Sequence, residues 1–140
     1  MDKLVLHLLT MLEAIEKIFL YSSRYNSFYD FYQANDQESF NACLNLLVAV
    51  GEESKHLPEN IKISCNQINW SAVVGLRNHI SHNYRGIDPE IVWDIINNEL
   101  QDLKKILVNS IQQNFNDSLL EKYLKLDYYK HSRRNFYPND

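Results

Sequence analysis

The sequence predicts an all-α protein, a single-domain bundle of four to five helices. Only three glycines and three prolines occur among the 140 residues, which leaves few turns and argues against a many-stranded sandwich or barrel. Apolar residues recur every three to four positions over long stretches, which is the period of one helix face. Because this length corresponds to about one domain, we expect one hydrophobic core.

The first predicted helix runs from about residue 2 to about residue 24. Its apolar face consists of Leu4, Val5, Leu8, Leu12, Ile15 and Phe19. Aromatic residues then continue at near-helical spacing from Tyr21 to Tyr32. Two alternatives stay open for this stretch: the helix extends to Tyr32, or it breaks around Asn26 and Ser27.

The second predicted helix begins at Asn35 and Asp36, where an aspartate side chain can accept hydrogen bonds from free backbone N–H groups. It ends before Pro58 and has the buried stripe Phe40, Cys43, Leu44, Leu47 and Val48. Cys43 and Cys65 form no Cys-x-x-Cys pair, and Cys43 lies in an apolar run. The sequence therefore favours a buried free thiol over a disulfide.

Two cap signals predict the next helices. A polar connector over residues 58–69 ends at Asn69, which caps a third helix over about residues 70–83. The run Asp88-Pro89-Glu90 then begins a fourth helix, because aspartate suits the cap, proline the first turn, and glutamate the positive end of the helix dipole. We expect this helix to reach about Ser110 or beyond.

The chain divides in our interpretation into a helical-bundle domain, residues 1–115, and a C-terminal helical, basic and aromatic extension, residues 116–140. A short helix is expected near residues 119–124. The stretch over residues 130–137 is the most basic part of the chain. It predicts either a frayed end or an additional set of contacts to RNA phosphates.

The overall charge and the N-terminus exclude several classes of protein. Fourteen Lys and Arg residues against eighteen Asp and Glu give a formal net charge of −4, which disfavours nonspecific binding of nucleic acid by the whole surface. The N-terminal apolar stretch has no basic region before it and meets Glu13 too early for a transmembrane span. We therefore expect a cytoplasmic protein that does not contact a membrane.

One polar segment stands out as a candidate site. The run Arg77-Asn78-His79-Ile80-Ser81-His82-Asn83-Tyr84-Arg85 contains one apolar residue in nine positions. The chain has no phosphate-binding glycine-rich loop, no His-Glu-x-x-His zinc motif and no Gly-x-Ser-x-Gly elbow. Nucleotide hydrolysis, zinc proteolysis and α/β-hydrolase chemistry are therefore not predicted.

The residue types in this segment suit the cleavage of RNA. Arginine offers a forked, permanent charge to a phosphodiester, and histidine can take or give a proton near neutral pH. RNA supplies its own 2′-hydroxyl nucleophile, so Arg77 and His82 are the predicted catalytic pair and need neither a metal nor a cofactor. Asn78 shares a helix face with His82 and could orient the phosphate, while Tyr84 could hydrogen-bond it or stack on a base.

Further side chains of the segment complete the predicted RNA cleft: Ser81, His79 and Arg85. A metal held by His79 and His82 with Asp88 or Glu90 is a weaker alternative, because two neighbouring histidines at a polar helix end usually bind none. The pair Gly51-Glu52 indicates a close helix contact with a solvated or dimer-facing carboxylate, and a catalytic base is the less favoured interpretation.

The segment contains the pattern Arg77-Asn78, three residues, His82, one residue and Tyr84. This pattern resembles the signature of the HEPN ribonuclease superfamily. The flanking runs, residues 47–58, 68–70 and 86–93, resemble the HepT branch, toxins paired with MntA-type nucleotidyltransferase antitoxins. The resemblance implies a HEPN-like homodimer with a composite RNA cleft. It also implies a type VII-like toxin–antitoxin system, in which the antitoxin silences the toxin by transferring AMP to Tyr84.

A second function stays open at this stage. Some relatives of this fold are non-catalytic helical modules that bind a minimal nucleotidyltransferase and present substrate to it. Such a module would need Tyr84 but has little use for Arg77 and His82 together. The signature therefore favours a ribonuclease.

Overall fold

The computed structural model describes residues 2–139, which form helices and turns with no β-strand in that range. The helices are α1 (Asp2–Ser22), α2 (Phe28–Lys55), α3 (Glu59–Ser64), α4 (Trp70–His82), α5 (Pro89–Asp94), α6 (Leu100–Asn114) and α7 (Asp117–Leu124). The all-α bundle predicted from the sequence is confirmed. None of these helices is long and apolar enough to cross a membrane. Residues 1 and 140, the outer ends of the two predicted segments, lie outside the described residues.

Helix α1 is the centre of the bundle. Its buried apolar side chains are Val5, Leu8, Leu9, Met11, Leu12, Ala14, Ile15 and Ile18. These positions point in several directions around the helix axis, so α1 must be enclosed on more than one side. Helix α2 packs along it, α6 packs on another side, and the C-terminal turns contact it as well.

The chain breaks between α1 and α2, as one of the two alternatives predicted. Ser27 caps α2 by accepting a hydrogen bond from the backbone N–H of Asp30 at 3.2 Å. Residues 34–37 have non-helical backbone angles, with left-handed φ values of 51°, 57° and 68° at residues 35–37, and they divide α2 into two helical segments. The second segment begins immediately after this turn, close to the start predicted at Asn35 and Asp36, whereas the first segment, which begins at Phe28, was not predicted as a separate helix.

An aromatic cluster accounts for this left-handed turn. The ring of Phe31, which is fully buried, lies 6.0 Å from Phe40 in an edge-on arrangement and 5.2 Å from Trp93, centroid to centroid. The turn allows Phe31 and Phe40, on either side of it, to face each other. Each left-handed residue costs about 1–2 kcal/mol, so the three cost about 3–6 kcal/mol, and burial of the two side chains Phe31 and Phe40 recovers about 3–6 kcal/mol. Packing of the rings can therefore offset the backbone strain.

The predicted connector after α2 is only partly irregular. It contains the one-and-a-half-turn helix α3, whose Ile61 is buried. The cap predicted at Asn69 is confirmed, since its side-chain oxygen accepts a hydrogen bond from the N–H of Ala72 at 3.0 Å. Helix α4, which carries the polar segment, therefore begins where the sequence indicates.

The fourth predicted helix is present but is not regular throughout. Asp88 accepts a hydrogen bond from the N–H of Glu90 at 2.9 Å, with Pro89 in the first turn, as predicted. A π-helical turn over Ile95–Glu99 then joins α5 to α6. The joined helix continues to Asn114, beyond the predicted minimum.

The C-terminal extension is folded onto α1, so the interpretation as a frayed end is wrong. The carboxylate of Glu13, with 1% of the residue exposed, accepts hydrogen bonds from the N–H of Ser132 at 2.9 Å, its hydroxyl at 3.0 Å and the N–H of His131 at 3.1 Å. The Nδ1 atom of His131 lies 2.6 Å from the other carboxylate oxygen. This buried carboxylate anchors the extension.

Other side chains of the extension are also engaged within the fold. Nε of Arg133 donates to the carbonyl oxygen of Leu124 at 2.6 Å. The hydroxyl groups of Tyr129 and Thr10 share a hydrogen bond of 3.0 Å. Burial raises the pKa of Tyr129, and the bond to Thr10 partly opposes that rise. The basic stretch therefore has fewer groups available for RNA than its composition indicates.

Both cysteines are buried free thiols, as predicted. Burial raises the pKa of Cys43 to about 12. The thiol therefore stays protonated at neutral pH, and since the thiolate is the reactive form, Cys43 is a packing residue.

Substitution Glu13→Ala should lower the free energy of unfolding by about 3–5 kcal/mol, because it leaves buried donors of the extension without an acceptor. Urea denaturation measures this loss. Glu121→Ala is the matched control, since its carboxylate is exposed and pairs with the exposed Lys125 four residues later, which is worth under about 1 kcal/mol. Equal losses in the two variants would contradict the anchoring role.

Candidate active site

Two contacts define how α4 lies on α2. Arg77 of α4 meets Glu52 near the end of α2, and Tyr84, just after α4, meets Asn41 about halfway along α2. The two helices therefore run in opposite directions. Eleven residues of α2 separate the contacts, which is about 16 Å of helix.

Gly51 allows the two helices to approach closely. A methyl group built on Gly51 would overlap Cβ of Arg77 and would lie 3.2 Å from the carbonyl oxygen of Val73. The close helix contact predicted at this glycine is confirmed. It brings the backbone of α2 against the base of the arginine side chain, so that the next residue, Glu52, can reach the guanidinium.

The guanidinium of Arg77 is held at two points. Its Nε atom forms an ion pair with Oε1 of Glu52, and Nη1 donates to the side-chain oxygen of Asn78 at 2.9 Å. About a quarter of the Arg77 side chain is exposed. Glu52 at Nε and Asn78 at Nη1 together fix the orientation of the planar group. The sequence analysis favoured a solvated or dimer-facing carboxylate at Glu52 over a catalytic base. In the structure this carboxylate orients the guanidinium of Arg77.

His82 is the exposed last residue of α4, and Asn78 is exposed one turn before it. One turn corresponds to about 6 Å along the axis and about 40° around it, so these two side chains share a face. Arg77 and His82 are about 140° apart on the same helix. Arg77 is thus hydrogen-bonded to Asn78. The side chains of the predicted catalytic pair, Arg77 and His82, point in different directions from α4.

Tyr84 lies in the 3₁₀ turn Tyr84–Gly86 and is 51% exposed. Its hydroxyl donates a hydrogen bond to the side-chain oxygen of Asn41. The sequence analysis missed Asn41. A signal was present: Asn41 and Glu52 are three helical turns apart, so these polar residues share a face of a largely apolar helix.

The other predicted cleft residues, His79, Ser81 and Arg85, are all exposed. His79 lies at the wall of an open groove of about 530 Å³ between α2, α4 and α6. The apolar residues that line this groove include Leu47, Val50, Ile68, Val73, Leu76 and Leu103. The groove separates this side of α4 from α6 and leaves its apolar lining open to solvent.

The alternative of a metal site at His79 and His82 gains no support from the geometry. Residues 2–139 contain no group of three or more histidine, cysteine or acidic side chains placed to hold a metal ion. Asp88, one of the proposed additional ligands, uses its carboxylate to cap α5.

The fold and the site together define a class of protein: an all-α bundle in which one helix carries arginine, asparagine and histidine and is followed by an exposed tyrosine. Residues 11–109 match the HepT-like ribonuclease family. The match covers well over half of the chain, so this protein belongs to that family. The aromatic cluster lies within the matched range, whereas the C-terminal extension, residues 116–140, lies beyond it.

Individual relatives give the same family. A candidate RNase of Methanocaldococcus jannaschii is 36% identical over 72 residues, which is 51% of this chain and 60% of the relative. A candidate RNase of Caldanaerobacter subterraneus is 29% identical over 87 residues, 62% of this chain and 76% of the relative. A protein of Thermococcus cleftensis named probable ribonuclease HepT is 30% identical over 69 residues, 49% of this chain and 63% of the relative. The chain thus spans about three fifths of the first and third relatives, and no solved structure matches it.

Substitution Gly51→Ala should lower the free energy of unfolding by about 1–3 kcal/mol, because the added methyl group overlaps Arg77. Gly75→Ala is the matched control within the same helix pair. A methyl group at Gly75 has no neighbour within 4 Å, and alanine is the better helix former by about 1 kcal/mol. Chemical denaturation should therefore give changes of opposite sign, and two changes of the same sign would contradict the close contact.

Proposed function

We propose that this protein is the toxin of a type VII-like toxin–antitoxin system, an endoribonuclease that cleaves cellular RNA without a metal ion. Family membership and the ribonuclease names of the relatives support this proposal. The observation that carries it is the state of Arg77: Glu52 binds its Nε atom, Asn78 accepts from its Nη1 atom, and about a quarter of the side chain is exposed on the helix that ends in His82. We also propose a cytoplasmic location, since cellular RNA and ATP are both found there.

The proposed reaction is transfer of the phosphodiester to the neighbouring 2′-oxygen. An imidazole removes the proton of the 2′-hydroxyl, the 2′-oxygen attacks phosphorus, and the bond to the 5′-oxygen breaks. An imidazolium returns a proton to the leaving oxygen, so the products are a 2′,3′-cyclic phosphate and a 5′-hydroxyl. The Nη edge of Arg77 stabilises the additional negative charge of the transition state, and Asn78 orients the phosphate beside it.

A homodimer would supply the second acid–base group that the signature of one chain lacks. The reaction uses one group as base and another as acid, and each chain offers one His82 in the signature. Arg77 and His82 also point in different directions from α4, as expected if each faces a cleft shared with a second copy. The open apolar groove beside α4 supports such an arrangement, because a second copy would remove its apolar wall from water.

Tyr84 is the proposed point of control. Its hydroxyl attacks the α-phosphorus of ATP bound to an MntA-like nucleotidyltransferase antitoxin, pyrophosphate leaves, and the phenolic proton is released. The product carries AMP through a negatively charged phosphodiester. Its charge and size would repel RNA from the cleft and block it. The 51% exposure of Tyr84 supports this step, since a partner enzyme must reach the oxygen.

Cleavage of total cellular RNA in excess EDTA tests the ribonuclease proposal. The purified protein should cut RNA to fragments with cyclic phosphate ends, and His82→Ala should lose about a hundredfold or more of the rate, since acid–base catalysis contributes about 10²–10⁴-fold. His56→Ala is the matched control, because His56 is exposed but lies outside the signature.

Intact mass, recorded for every preparation, excludes a silenced sample. Equal cleavage by the wild type and His82→Ala would remove His82 from the catalytic pair. If an unmodified, folded wild-type protein cuts no RNA, the proposal fails in favour of a non-catalytic module that binds a nucleotidyltransferase.

Incubation with ATP and an MntA-like nucleotidyltransferase tests the control step. The intact mass should rise by AMP units in the wild type and stay unchanged in Tyr84→Phe, which lacks the attacking oxygen. Tyr128→Phe is the control, because Tyr128 is similarly exposed at 58% and should leave the modification intact. AMP found on Tyr84→Phe would assign the acceptor to another residue.

A further inference from the structure

The hydrogen bond from Tyr84 to Asn41 links the turn after α4 to a residue 43 positions earlier in the chain. A phenol has one proton to donate and lone pairs that can accept. Because the proton of Tyr84 is directed at Asn41, the lone pairs face away from α2. The half-exposed ring thus has a defined hydroxyl orientation instead of a freely rotating one.

Asn41 is itself on a well-supported part of α2. It directly follows Ser39, whose hydroxyl shares a hydrogen bond of 3.1 Å with that of Tyr25, and Phe40, whose ring lies 4.9 Å from Tyr32 in an edge-on arrangement. Both neighbours are buried. The aromatic cluster therefore determines the rotation of α2 at this point, and with it the direction in which Asn41 points.

We propose that Asn41 is a positioning residue for Tyr84, which holds the hydroxyl in the orientation used in the RNA cleft. This inference rests on the proposed ribonuclease function. The amide oxygen accepts a hydrogen bond from the phenolic hydroxyl. Because the amide is neutral and a very weak base, it does not remove the proton. Asn41 therefore orients Tyr84 without activating it as a nucleophile, and a base for transfer of AMP must come from the modifying enzyme.

The contact also depends on the chemical state of Tyr84. Transfer of AMP breaks the O–H bond and forms an O–P bond, so the resulting ester oxygen has no proton to donate. The side-chain oxygen of Asn41 then loses its donor, and the modified ring is no longer held against α2. Modification would thus change the position of Tyr84 in addition to adding charge to it.

A double-mutant cycle on RNA cleavage tests the positioning role. Asn41→Ala should lower kcat/KM about threefold to tenfold, the range for loss of one hydrogen bond. The same substitution in a Tyr84→Phe background should cause no further loss, because no hydroxyl remains to be oriented. Asn45→Ala, one turn away on the same exposed face, should leave kcat/KM unchanged. Losses that add in the double variant would overturn the proposal.

A second measurement does not depend on ribonuclease activity. N-acetylimidazole acetylates tyrosine hydroxyls, and peptide mass spectrometry gives the rate at Tyr84. Asn41→Ala should raise that rate about threefold, whereas Asn41→Asp retains an acceptor and should not raise it; the rate at Tyr128 should stay constant in both. An unchanged rate at Tyr84 in Asn41→Ala would show that the bond is absent in solution and overturn the proposal.

The cleavage and acetylation measurements together distinguish failure of the proposed function from failure of the inference about Asn41. A wild type that cuts no RNA overturns the proposed function, and with it any role of Asn41 in cleavage, whatever the acetylation rates. A wild type that cuts RNA while Asn41→Ala is unchanged in both assays keeps the proposed function and overturns only the inference about Asn41. Circular dichroism of each variant confirms that it is folded, as expected for substitutions at exposed positions.

Discussion

At Gly51 the backbone of α2 touches the base of the Arg77 side chain, an approach that any residue with a Cβ would prevent. The rest of the candidate site depends on it. Among the described side chains of α4, Ile80 is the one that is buried, and the position of the helix depends on its contact with α2. The close approach brings Glu52 to the guanidinium, and the antiparallel direction that follows carries Tyr84 to Asn41.

Much of the fold could be predicted because its signals are local. The caps at Asn69 and Asp88 involve a side chain and a backbone N–H two or three residues later, so spacing along the chain was sufficient to find both. The same holds for the signature: residues 77–82 share one helix, and helical geometry alone relates their side chains. The starts of α4 and α5 and the approximate arrangement of Asn78 and His82 were therefore accessible from the sequence.

The features that were missed depend on residues far apart in the chain. The sequence places a helix start at residues 35 and 36, but the left-handed turn there depends on distant packing, such as that of Phe31 against Trp93. Glu13 looks like an ordinary surface acid until its donors, 118 and 119 residues later, are known. Asn41 has no motif around it, and its role is apparent only once α4 is in place. Local sequence patterns do not identify contact partners that are distant in the chain.

The anchoring of the extension at Glu13 has a consequence for biosynthesis. The carboxylate belongs to the central helix and leaves the ribosome 118 and 119 residues before its donors, His131 and Ser132. A nascent chain must therefore keep this charged group hydrated while the intervening helices are translated. Only then can the carboxylate enter the interior with its hydrogen bonds made. Burial of this group is thus tied to the translation of residues 131 and 132, and a chain that terminates before them is left with a charge that its core cannot accommodate.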